Sequence, residues 1–190
     1  MEVDHSSGEG AGGSRREGRD RGVGDDPLAR TGAPVEVRLE VEVDAPQAAI
    51  WQLLGHPGRW RLWHPGIREA SLEGELEPGS RILWRADGMR IFSLIREVEP
   101  ERRLAFTLRT LGGRGYLRWS LEALAPHRTL VRSEEVWDGI SVRLLRRTLR
   151  RTLERSRVHG LEGLKSRAEG QGSPGGEFHL PSDRPDPSQS

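Results

Sequence analysis

Two short stretches concentrate the side chains able to do chemistry. The first is "RWRLWHPGI", Arg59 to Ile67, which sets His64 among two tryptophans and a proline. An imidazole can serve as a general base or a metal ligand, but either task needs partners at suitable spacing. None stands at ligand spacing from His64. Two readings remain: a ring that bonds a neighbouring backbone group at a chain corner, or a contact at the mouth of a cavity. The second stretch is "SEEVW", Ser133 to Trp137. If Val131 faces inward on a strand, Ser133, Glu135 and Trp137 share its face. A buried carboxylate must be paired or must hold its proton. Glu135 is therefore either an acid–base group or polar ligand anchor in a cavity, or half of a structural ion pair with an arginine such as Arg109 or Arg118. A one-residue slip would put Glu134 in its place. Neither stretch identifies a catalytic residue.

Composition narrows the chemistry further. The sequence has no cysteine, which removes disulfides, thiolate catalysis and thiolate metal sites. Phosphate-loop, dinucleotide-binding, zinc-protease and serine-hydrolase motifs are all missing, so neither a metal nor a cofactor is expected. A net charge of +1 over 190 residues does not point to nucleic acid. No apolar run reaches the roughly 18 residues of a membrane-spanning helix, and no secretory signal is visible; a cytoplasmic protein is the expectation. Residues 1–33 and 170–190 are rich in Gly, Ser, Pro and charge and poor in large apolar side chains, so both are expected to be disordered tails. One domain is expected over 34–169.

The elements that must position His64 and Glu135 follow from periodicity. "VEVRLEVEV", Val35 to Val43, alternates as a half-buried antiparallel strand. Pro46 opens a helix in which Ala49, Ile50, Leu53 and Leu54 recur at helical spacing. After the His64 corner, a second strand is predicted over Ile67–Gly74. Asp87-Gly88 marks a two-residue type I′ hairpin turn. Centring it there pairs Ala86 with Met89, Trp84 with Ile91, and Ile82 with Ser93. The same register sets Arg85 against Arg90, an unfavourable pair that nearby acids would relieve. Three more strands follow, with Leu104, Phe106 and Leu108, then Leu117, Trp119 and Leu121, then Val131 to Trp137 facing inward. A single helix is predicted over Ser141–Ala168.

That last helix carries two adjacent stripes: Leu145, Leu149 and Leu153, and beside them Thr148, Thr152 and Ser156. Small hydroxyl residues next to an apolar stripe suit either a cavity between helix and sheet or hydroxyls that back-bond to the helix itself. Residues 141–169 hold nine basic residues against three acidic ones, mostly arginines opposite the leucines. Such a stripe is a solvated face, or a surface for peripheral contact with an anionic membrane or a partner.

The order of strand, helix, helical corner, six strands and long helix comes with several familiar phrases. "VDAPQAAIWQLLGHPGRWRLWHPGI", "LEPGSRILWR", "REVEPERRLAF" and the E-E-x-W-x-G of Glu134 to Gly139 together resemble the SRPBCC superfamily, the START-like or helix-grip domains. The branch they are most similar to is the polyketide cyclase/dehydrase and lipid-transport family. The resemblance implies an α+β fold: a seven-stranded antiparallel sheet curled around a long C-terminal helix, with two short helices between strands 1 and 2. It also implies a deep hydrophobic cavity between sheet and helix. On that reading the ligand-binding residues are Trp63 and His64 at the entrance, and Ile82, Trp84, Ile91, Ser93, Phe106, Trp119, Glu135 and Trp137 on the sheet. Leu145, Thr148, Leu149 and Thr152 complete the set on the helix. The expected function is binding of a small hydrophobic molecule such as a lipid or polyketide. A cyclase or dehydratase using Glu135 or His64 is the first alternative, and a protein docking its basic helix on an anionic surface is the second.

Overall fold

The structure, a computed structural model, describes residues 33–171. The expected tails therefore lie outside the described residues, apart from Ala33, Gly170 and Gln171. Seven strands run β1 (Val35–Val43), β2 (Ile67–Glu73), β3 (Arg81–Ala86), β4 (Met89–Glu99), β5 (Arg103–Thr110), β6 (Gly113–Ala125) and β7 (Arg128–Asp138). They form one antiparallel sheet in the order β1-β7-β6-β5-β4-β3-β2. Helix α1 (Gln47–Leu54) and a 3₁₀ segment (Pro57–Leu62) connect β1 to β2. This is the helix-grip arrangement expected.

The β3–β4 hairpin shows how local chemistry sets register. Asp87 and Gly88 both adopt positive φ, 50° and 81°, as a type I′ turn requires. Ala86 then opposes Met89, Trp84 opposes Ile91, and Ile82 opposes Ser93. Arg85 does face Arg90, and Glu69 of β2 reaches Arg85 at 3.6 Å to offset the like charges. On β7 the phase is also settled: Glu135 points into the core, while Glu134 lies on the outer face beside Arg38 and Arg118. That outer face carries a small apolar cluster of its own, Ala105, Tyr116 and Val136.

The C-terminal helix differs from the single element expected. It divides into α2 (Ile140–Leu144) and α3 (Arg146–Gln171) at Leu145, whose φ of −105° and ψ of 19° depart from helical values. Helix α2 inserts Val142 against the ends of β6 and β7, whereas α3 crosses to pack on β1 and α1. One straight axis could not serve both contacts. The tail end of α3 is tied to β1: Lys165 donates to the Glu42 carbonyl at 2.6 Å, and the Asp44 amide donates to Glu169 at 2.9 Å. Nearer its start, the Ser156 hydroxyl donates to Asp87 of the β3–β4 turn at 2.7 Å.

Candidate functional site

Four polar side chains that could serve a site are buried in the fold: His64, Ser133, Glu135 and Arg157. Glu135 is 1% exposed and accepts three hydrogen bonds. Arg157 donates twice, Nε to Oε2 at 2.5 Å and Nη2 to Oε1 at 3.2 Å, and Trp137 Nε1 donates to Oε1 at 2.8 Å. The Arg157 guanidinium also lies 6.0 Å from the Trp119 ring centroid, within cation–π range. Buried charge persists only when paired and fully hydrogen-bonded, and this carboxylate meets both conditions. The sequence pointed to Arg109 or Arg118 as the partner. Arg109 is exposed on β5 and Arg118 sits on the outer face near Glu97 and Glu134. The partner comes instead from α3, one arginine of the basic run turned inward.

His64 sits beside this pair. The Gly66 backbone N–H donates to His64 Nδ1 at 3.2 Å, so the proton of the neutral ring is on Nε2. Burial, reinforced by the Arg157 charge and opposed by Asp87, pushes the imidazole down to about 4. Helix α3 comes close enough to touch the corner because it is glycine there. A Cβ on Gly160 would stand 2.6 Å from His64 Cδ2, and a Cβ on Gly163 would overlap the Trp63 carbonyl. Close approach requires the missing side chains. The fourth member, Ser133, buries a hydroxyl that has no hydrogen-bond partner among the described residues.

The corner tryptophans do more than turn the chain. Trp60 and Trp63 insert their rings between the helices and the sheet. Their indole N–H groups donate to the Leu54 and Leu53 carbonyls, at 2.8 and 3.3 Å, and so satisfy acceptors left open at the end of α1. Trp60 stacks on Phe106 at 5.6 Å and meets Trp84 edge-on at 5.5 Å. Trp63 meets Trp119 edge-on at 6.0 Å. The sheet residues expected to line a cavity, Ile82, Trp84, Ile91, Phe106 and Trp119, are thus packed in an aromatic core. Ser93 shares it, its hydroxyl accepting from Trp84 Nε1 at 3.0 Å. The contribution of Trp60 to this core carried no periodic signal, because it lies on an irregular 3₁₀ turn rather than on a strand or helix face.

An open volume lies next to this core, at the end of the fold where α2 begins. It measures about 330 Å³. Its walls are the β3–β4 turn with Asp87 and Met89, the β5–β6 turn with Thr110 and Leu111, Trp137, and Val142, Leu145 and Leu149 from the helices. Thr148 and Thr152 also line it, and the Thr152 hydroxyl back-bonds to the Thr148 carbonyl at 3.1 Å. The hydroxyl stripe thus divides: Thr148 and Thr152 line the volume, the Thr152 hydroxyl bonds back to its own helix, and Ser156 turns instead to Asp87. Five of the expected site residues gather here: Trp137, Leu145, Thr148, Leu149 and Thr152. Trp63 and His64 do not line this opening; they are buried where Gly163 and Gly160 of α3 approach the corner. Glu135 stands behind it, reached through Trp137, whose ring is the wall and whose N–H is Glu135's third donor. Met89 and Leu111 were not anticipated, since hairpin turns carry no signal of what they will oppose. Among the described residues, no group of three or more His, Asp or Glu side chains could hold a metal ion.

Comparison with known proteins supplies a further observation. Residues 34–169 match the family described as polyketide cyclase / dehydrase and lipid transport. No curated protein matches the chain. Among solved structures, a hypothetical protein from Helicobacter pylori superposes with a TM-score of 0.65 at 16% identity, covering 74% of this chain and 92% of that one. The Zhui aromatase/cyclase from a Streptomyces species gives 0.61 at 18% identity, covering 72% and 94%. A protein from Thermus thermophilus gives 0.60 at 20% identity, covering 73% and 99%. At these identities the likeness is one of fold.

Proposed function

Since the chain belongs to the polyketide cyclase/dehydrase and lipid-transport family, we propose that it binds a small hydrophobic molecule in the volume between the β-turns and the helices. One observation carries this reading. A cavity of about 330 Å³ is walled by Trp137, Met89, Leu145 and Leu149, with the Thr148 and Thr152 hydroxyls among them. Ligand sites are of this kind: apolar walls with a few placed polar groups, starting at roughly 300 Å³. The size favours a compact ring system or a short chain over a bulky lipid. In this reading Trp60 and Trp63 occupy the inner space, and Trp84, Ile82, Ile91, Ser93, Phe106 and Trp119 act as the rigid support behind the ligand rather than its direct contacts.

A cyclase or dehydratase role would need Glu135 or His64 to move a proton on the ligand. Neither lines the cavity. Glu135 is fully engaged by Arg157 and Trp137, and the His64 Nδ1 lone pair is taken by the Gly66 N–H. Binding is the reading these bonds support. Native mass spectrometry after mild purification, repeated after addition of lipid extract, should show a retained small-molecule adduct. A Leu149→Trp substitution, which fills the cavity from its helix wall, should abolish it. A wild-type protein that carries no adduct under either condition, or an adduct indifferent to Leu149→Trp, would count against the proposal.

A further inference from the structure

The mouth of the cavity is apolar in a way the interior does not require. Helix α2 spends one residue, Val142, on the core and turns Ile140 and Leu144 outward, each 80% exposed. Leu145 follows at 61% exposed, and Leu111 at the tip of the β5–β6 turn is fully exposed. These four side chains belong to one surface. The Ser141 amide donates to the Gly112 carbonyl at 3.4 Å, which holds the turn against α2, and Leu111 and Leu145 both line the cavity. A short helix that exposes Ile140 and Leu144 between Ser141 and Arg143 presents more apolar surface to solvent than an ordinary surface helix.

The surroundings are basic. Arg143, Arg146, Arg147, Arg150 and Arg151 follow on the helices, and Arg109 and Arg114 flank the turn, all exposed. Asp138 takes up Arg114 and Arg143, and Glu154 takes up Arg150, which leaves a clear positive excess around the leucines. A second copy of this chain is a poor cover for such a surface, because a two-fold contact would bring the same arginines face to face. We infer that this end of the molecule docks on an anionic lipid bilayer, with Ile140, Leu144, Leu145 and Leu111 entering the interface and the arginines resting on the headgroups. The inference rests on the proposed cavity function and deepens it. Docked in this way, the cavity opens directly onto the bilayer, and an apolar ligand passes between the two without crossing water.

Cosedimentation with vesicles tests the inference. The full chain should bind vesicles containing phosphatidylglycerol, bind pure phosphatidylcholine vesicles weakly, and release as salt is added. Two double variants separate the contributions: Ile140→Ser/Leu144→Ser and Arg146→Glu/Arg147→Glu. Each should lower partitioning about tenfold or more with an unchanged melting temperature, since all four side chains are exposed. A tryptophan placed by Leu144→Trp should shift its emission to the blue on anionic vesicles only. Equal or absent binding to the two vesicle types would overturn the inference, as would variants that bind like wild type. So would a concentration-dependent dimer in light scattering that Ile140→Ser/Leu144→Ser dissolves. Native mass spectrometry on the same variants keeps the two proposals apart. Vesicle binding without any ligand adduct would retain docking and remove the cavity reading; an adduct without vesicle binding would do the reverse.

Discussion

Glu135 illustrates how one side chain's role depends on its partner. As a lone buried carboxylate it would be a candidate for acid–base chemistry. With the Arg157 guanidinium bonded to both oxygens and the Trp137 indole added, it is a cross-brace between β7 and α3. Removing one member of a buried pair leaves the other uncompensated, at a cost of about 3–5 kcal/mol. Arg157→Met should therefore lose about that much stability in urea unfolding. The double variant Glu135→Gln/Arg157→Met, with no stranded charge, should recover a substantial part of it. If the double variant were as unstable as the sum of the two single changes, the pair would not be acting as a unit. His64 is a similar case at lower stakes. Its position among aromatic residues was visible from the sequence, but the close contact with α3 was not, because it depends on two glycines far along the chain.

Those glycines act at the level of the element. Gly160 and Gly163 weaken α3 as a helix, since Gly costs roughly 1 kcal/mol relative to Ala in a helix interior. They are placed where α3 crosses the Trp63–His64 corner. Gly160→Ala should therefore destabilise the protein despite its better helix propensity, by about 1–3 kcal/mol, because the new methyl meets a buried ring fixed at Nδ1 by the Gly66 N–H. Gly163→Ala should be worse, as its neighbour is backbone. Gly170→Ala is the control: nothing lies within 4 Å of its Cβ position, so its melting temperature should hold or rise slightly. Thermal melts of the three variants check the order. The β3–β4 hairpin shows the opposite situation. Asp87-Gly88 specifies a turn whose geometry is local, so register could be read directly and holds pair by pair. The helix break at Leu145 had no such local marker: no glycine or proline stands there, and the bend follows from α2 and α3 packing on different parts of the sheet.

At the scale of the whole molecule, the packed interior leaves a measurable trace in pH dependence. The His64 ring titrates at about 4 in the fold against 6.5 in the open chain. Between those values the unfolded chain binds a proton that the folded one refuses, so stability falls as the pH is lowered from 6.5 toward 4, by about 1.4 kcal/mol per pH unit in the fully titrating range. Above 6.5 His64 contributes no slope. Asp138, held low mainly by the Gly139 N–H, and Glu169, held low mainly by Lys165, act only near and below the ordinary carboxylate range, so pH 5 to 6.5 isolates the histidine. Urea unfolding across that window should show the slope, and His64→Asn, which keeps an acceptor for Gly66, should flatten it. An unchanged slope in the variant would place the titration elsewhere. The sequence alone determined the strands, their inward faces and the hairpin register, because alternation, turn residues and helical spacing are properties of short segments; the family came from the resemblance of several longer phrases, and the match over residues 34–169 bears it out. Five of the residues the sequence singled out stand along the open volume. Only the tertiary structure decided that Trp60 and Trp63 fill the interior, that Arg157 neutralises Glu135, and that the open volume lies at the α2 end beside Met89 and Leu111. Each of these depends on two segments distant in the chain meeting at a particular distance, and no local pattern encodes a distance between segments.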